Sequence, residues 1–144
     1  MATLTPPRSD VDSPGRDSAD WDLGVATGLI RIFAGIVLWR APSTLIRLSG
    51  GSADDSLLRG LFRYFAVRDI ALGVATLAST RPGGDVTRSL TLQGVADTTD
   101  GAAVGALVAT GRLRRTQGLG AVGLAGVTAL MEYAAAWKLR RSHG

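Results

Sequence analysis

The chain has no cysteine and a single histidine in 144 residues. Disulfides, thiolate metal sites and thiol nucleophiles are therefore excluded. The histidine, His143, stands one residue from the last and is not expected to be catalytic. Aromatics make up only 6%, with no basic-aromatic pattern or recognisable motif of the kind that carries nucleic-acid binding. No cofactor or metal motif is found, so neither a cofactor nor a metal is expected. "GLGAVG", residues 118–123, fits G-x-G-x-x-G, but no strand-like run precedes it and it opens an apolar segment. Its glycines are read as helix-packing residues rather than a dinucleotide loop.

Polarity is distributed unevenly. The first 22 residues, "MATLTPPRSDVDSPGRDSADWD", hold three of the five prolines and five of the twelve acidic residues, and no apolar run. Such a composition cannot bury enough surface to offset chain entropy, so residues 1–20 are expected to form a disordered polar tail. Without a basic start followed by an apolar run, the tail is not read as a secretory signal. The remainder carries fourteen Arg or Lys against seven acids, a surplus of seven. These charges gather in short groups such as "RLRR" (112–115) and "KLRR" (138–141), which flank apolar segments as membrane-bordering charges do.

Four segments, residues 21–39, 58–78, 90–109 and 118–137, approach the ~20 mostly apolar residues that a membrane span requires. Trp21 and Trp39 lie about 27 Å apart along a helix, a separation that suits an aromatic at each interface. Tyr133 and Trp137 are placed to anchor the last span in the same way. Small residues recur at Gly24, Gly28, Gly101 and Gly105 and again at Gly120, Gly123 and Gly126; between membrane helices they permit close backbone approach. The expected fold is all-α, a four-transmembrane-helix bundle in the lipid bilayer. Orientation is left open, because seven basic residues fall on the side of the termini and six on the other.

Charges interrupt these spans at one depth. Arg31 lies near the middle of the first, Arg68 and Asp69 at the middle of the second, and Asp97 and Asp100 astride the middle of the third. Gln93, Asp97 and Asp100 follow i, i+4, i+7 spacing and form one polar stripe. Charged residues inside membrane spans face the bundle interior and pair with one another. An internal cluster is therefore expected, with Arg31 and Arg68 facing the aspartates of the third span. Two arginines against three aspartates leave one negative charge over, balanced either by a proton on one carboxyl or by Arg63. Glu132, toward the end of the fourth span, is read as reaching water or pairing with an arginine. "GLIRIFA" (28–34) and "GLFRYFA" (60–66) share five of seven residues, as either a duplication or a chance match of apolar helices would produce.

"RIFAG" in the first span, "RDIALG" in the second and "DTTD" in the third resemble the short four-helix integral membrane proteins of bacteria and fungi called domain of unknown function 4267. The resemblance covers residues 23–137. It implies a four-helix bundle in a bacterial cell membrane, with Arg31, Arg68, Asp69, Asp97 and Asp100 as the characteristic polar positions; it supplies no reaction.

Taken for their chemistry, paired carboxylates and arginines in a low-dielectric pocket are suited to bind a lipophilic small molecule. They are also suited to convert it by acid–base epoxide opening, isomerisation or cyclisation. In that reading Asp97 and Asp100 are the acid and base, Arg68 stabilises charge, and Asp69 and Arg31 orient them. The alternatives are a non-catalytic membrane subunit with a structural ion-pair cluster, and a proton-linked carrier acting as a homodimer.

Overall fold

In a computed structural model the chain is described over residues 14–48 and 51–143, with side chains described for 21–48 and 51–141. Residues 1–13 of the expected tail lie outside the described residues. The described chain is all-helical: α1 (Pro14–Arg40), α2 (Pro42–Leu48), α3 (Ser56–Ser79), α4 (Val86–Ala109) and α5 (Arg115–His143), with no strand among the described residues. Proline suits the first helical position, where its missing N–H has no helical partner anyway, and α1 begins at Pro14, ahead of the expected boundary at Trp21. "GLGAVG" lies inside α5 with no strand before it, as its sequence context implies.

Short polar residues mark where the helices start. Asp55 caps α3 by accepting from the backbone N–H groups of Leu57 (3.0 Å) and Leu58 (3.1 Å). Asp85, the last residue of the turn "TRPGGD", caps α4 by accepting from Arg88 N–H at 2.8 Å. Helix α4 ends at a glycine in the left-handed region, Gly111 with φ 70°. There the N–H of Gly111 reaches Val108 O at 3.1 Å and that of Arg112 reaches Leu107 O at 2.9 Å, a Schellman termination that turns the chain back into α5.

The four long helices pack as two close pairs, α1 with α3 and α4 with α5, and the two pairs approach each other much less intimately. Glycine sets the first pairing. A Cβ placed on Gly73 would lie 2.6 Å from the carbonyl oxygen of Gly28, and one on Gly35 would lie 2.6 Å from that of Ala66. The backbones of α1 and α3 are thus in direct contact along the crossing, as small-residue membrane packings allow. In the second pair Gly94 receives the ring of Tyr133. Gly120, Gly123 and Gly126, by contrast, meet nothing within 4 Å.

Inward positions on α4 follow a 3–4 alternation: Val86, Leu90, Gln93, Asp97, Asp100 and Val104. Two apolar layers form at the ends of this stripe. Val86, Leu90, Ala136 and Leu139 fill the end near the chain termini, and Ile46, Leu58, Val104 and Leu113 fill the other. Helix α2 belongs to the second layer, where Ile46 is wholly buried. Between the layers the interior is polar, while large apolar side chains such as Ile30, Phe33, Leu119, Leu130 and Met131 are more than half exposed on the outside.

Gly73→Ala and Gly35→Ala should each cost about 1–3 kcal/mol, because the added methyl collides with backbone that cannot move aside. Gly123→Ala, made where nothing lies within 4 Å, should cost nothing. Unfolding of the three variants in detergent micelles checks this; equal stability of all three would contradict the glycine-set crossing.

Candidate functional site

All four long helices send a charged residue to the polar layer. Arg31 of α1 donates from Nη1 to Asp69 Oδ1 of α3 at 2.8 Å, from Nη2 to Asp97 Oδ2 of α4 at 2.7 Å, and from Nε to Glu132 Oε1 of α5 at 3.0 Å. Its Nη2 also reaches Glu132 Oε1, and its Nε also reaches Gln93 Oε1. Arg68 of α3 donates from Nη2 to Asp97 Oδ1 at 2.5 Å and to Asp69 Oδ1 at 3.1 Å, and from Nη1 to Asp100 Oδ2. Asp69 and Asp97 each serve both arginines, so Arg31, Asp69, Arg68 and Asp97 close a ring of alternating charge. Asp100 hangs from Arg68 and Glu132 from Arg31.

The five residues expected to cluster, Arg31, Arg68, Asp69, Asp97 and Asp100, all meet here. Asp69 turns to Arg31 and Arg68 to the α4 aspartates, as the 100° between helical neighbours demands; the long arginine side chain also folds back onto Asp69. Glu132 joins them and is buried, 7% exposed. Arg63 does not: its guanidinium lies over the Trp39 ring, 5.8 Å from the ring centre. The two guanidiniums therefore face four carboxylates, a formal surplus of two negative charges.

A neutral hydrogen-bond chain extends the cluster toward the termini. Gln93 and Thr76, both wholly buried, are linked through Gln93 Nε2 donating to Thr76 Oγ1. Thr76 gives its hydroxyl hydrogen to Leu72 O at 2.8 Å, which leaves Ser89, 3.0 Å away, as the donor in their contact. Three acid oxygens and one nitrogen stay outside these networks. Asp69 Oδ2 and Asp100 Oδ1 take no hydrogen bond among the described residues, and Glu132 Oε2 and Arg68 Nε are buried without a partner.

A cavity of about 400 Å³ opens on the side of the cluster away from the termini. Its floor is charged: Arg31, Arg68, Asp69, Asp97 and Asp100. Its walls are apolar, with Leu58, Phe62 and Phe65 from α3, Val104 from α4 and Leu124 from α5. The space exists because the two helix pairs stand apart and because α5 faces it with the small side chains of Gly120, Ala121 and Ala125. Among the described residues no group of three or more His, Cys, Asp or Glu is arranged to hold a metal ion. The arrangement offers a low-dielectric chamber that ends on fixed donors and acceptors.

The chain matches no family profile, no curated protein and no solved structure.

Arg68→Ala should destabilise the bundle by about 3–5 kcal/mol, since it strands Asp100 and half of Asp97 in low dielectric. Adding Asp100→Asn should recover more of that loss than adding Asp97→Asn, because Asp97 keeps Arg31 while Asp100 has no other cation. Unfolding of the single and double variants in micelles measures the coupling. Parent-like stability of Arg68→Ala, with neither aspartate coupled to it, would contradict the ring.

Proposed function

We propose that the chain is an integral membrane protein of four spans whose cavity binds a lipophilic small molecule and converts it by acid–base chemistry on the charged floor. The single observation that carries this is the cavity itself, which joins an apolar wall to a cluster of arginines and carboxylates. Two helical segments, Trp21–Arg40 and Arg115–Arg141, are long and apolar enough to cross a membrane. They are also mostly unburied, unlike the core helix of a soluble protein. Helices α3 and α4 are less apolar along their length, but their cluster charges turn inward while Leu57, Tyr64, Val67, Val74, Leu92 and Val95 are exposed on the outside. Exposed apolar surface over whole helix faces is foreign to soluble monomers. The resemblance to domain of unknown function 4267, resting on "RIFAG", "RDIALG" and "DTTD", is part of this proposal.

The roles follow from how each carboxylate is held. Asp97 has both oxygens on arginines and serves mainly to fix them. Asp100 lines the cavity with one oxygen unengaged, so it is the group that exchanges a proton with substrate, with Asp97 as the ionised partner beside it. Arg68 supports negative charge that develops on the substrate, and Asp69 and Arg31 hold both in place. A second reading, a non-catalytic subunit with a structural cluster, is favoured by the closure of the ion-pair ring.

The chain should remain in membranes washed with alkaline carbonate. Mass spectrometry of the gently extracted protein should find a bound lipophilic molecule, lost in Gly120→Leu, which adds a large side chain at a cavity-lining position outside the ion-pair ring. Release by carbonate would contradict the membrane assignment. An empty parent, with activity in no lipid extract, would leave the structural reading.

A further inference from the structure

The floor of the cavity carries more negative charge than positive, three carboxylates against two guanidiniums. Arg31 commits Nε, Nη1 and Nη2 to Asp69, Gln93, Asp97 and Glu132 and has no nitrogen left over for a ligand. Arg68 commits both terminal nitrogens to Asp69, Asp97 and Asp100; its remaining Nε is buried. Arg68 Nη1 keeps one hydrogen unengaged, and the acids also keep free oxygens. Asp69 Oδ2 and Asp100 Oδ1 belong to residues that line the cavity and take no hydrogen bond among the described residues. Glu132 is more than nine-tenths buried and its Oε1 rests on Arg31, so its free Oε2 lies within the same cluster.

Buried charge at the middle of a membrane bundle calls for balance, by a proton on a carboxyl or by a cation, and the described residues supply no third cation to this layer. Arg63, the nearest arginine in sequence, is held on Trp39. A divalent metal does not suit the vacancy of charge, because the carboxylates are spread around two arginines rather than gathered about one point. A ligand with a cationic head that donates hydrogen bonds meets both needs. Such a head supplies positive charge and N–H groups to Asp69 Oδ2 and Asp100 Oδ1. An apolar tail lies along Phe62, Phe65, Val104 and Leu124.

We infer that the molecule taken by this cavity is an amphiphilic amine, bound as its ammonium with the head on Asp69 and Asp100 and the tail between α3 and α5. This inference rests on reading the cavity as a ligand site. The head and tail map onto the charged floor and the apolar wall of one chamber.

The test uses the full chain in lipid nanodiscs and three radiolabelled probes of one tail length: decylammonium, decanol and decyl sulfate. Decylammonium should bind about tenfold or more tighter than decanol, the gain expected of charge-assisted hydrogen bonds, and decyl sulfate weakest of all. Gly120→Leu should abolish binding of decylammonium, and Asp100→Asn should erase its advantage over decanol. Equal binding of decylammonium and decanol, both lost in Gly120→Leu, would leave the cavity as a ligand site and overturn the cationic head. Tightest binding of decyl sulfate would overturn it too, by showing that the guanidiniums dominate. Binding of all three unchanged by Gly120→Leu would overturn the cavity assignment, and this inference with it.

Discussion

A guanidinium presents its N–H donors as a flat fork, and Arg31 turns that fork toward three other helices at once. Asp69 on α3, Asp97 and Gln93 on α4, and Glu132 on α5 all accept from it. Where water is excluded, a donor or acceptor that leaves this arrangement finds no substitute, so the fork fixes how the four helices stand relative to one another. The close pairing of α1 with α3 through Gly28, Gly35 and Gly73 follows the same logic. It brings Arg31 near enough to Asp69 for a 2.8 Å contact.

The molecule is inverted in polarity: charged at the middle of its interior, apolar over its outer faces. That inversion explains both what the cluster costs and what it makes available. Two apolar layers isolate the charges from either end, and the second layer leaves a chamber beside them because the helix pairs diverge. The floor of that chamber is an interlocked set of arginines and carboxylates, each held by partners on other helices.

Much of this was legible in the residues. The all-α class was legible because the four long apolar segments return as α1, α3, α4 and α5. The cluster was legible because its members recur at one depth and because Gln93, Asp97 and Asp100 share one helix face. Glu132, read as reaching water or pairing with an arginine, pairs with Arg31; it was left out of the cluster because depth was counted from the centre of residues 118–137. The usable signal was its place in the small-residue stripe Ala125, Ala129, Glu132, Ala136, which is the inward face of α5. Arg63 looked equivalent to Arg31 in the paired segments "GLIRIFA" and "GLFRYFA". It stands five residues before Arg68, however, and at 100° per residue that carries it to another face, over Trp39. Neither α2 nor the cavity was legible, since both depend on how far apart the helix pairs settle.

On these contacts the Arg31 fork, more than apolar packing, holds the bundle together. Its most direct test is the unfolding free energy of Arg31→Ala in micelles, compared with that of Leu90→Ala, a wholly apolar truncation at a site that is 1% exposed. Leu90→Ala should cost about 2–5 kcal/mol. The account predicts a larger loss for Arg31→Ala, because three carboxylates from three helices lose a partner together. A loss no greater than that of Leu90→Ala would contradict it.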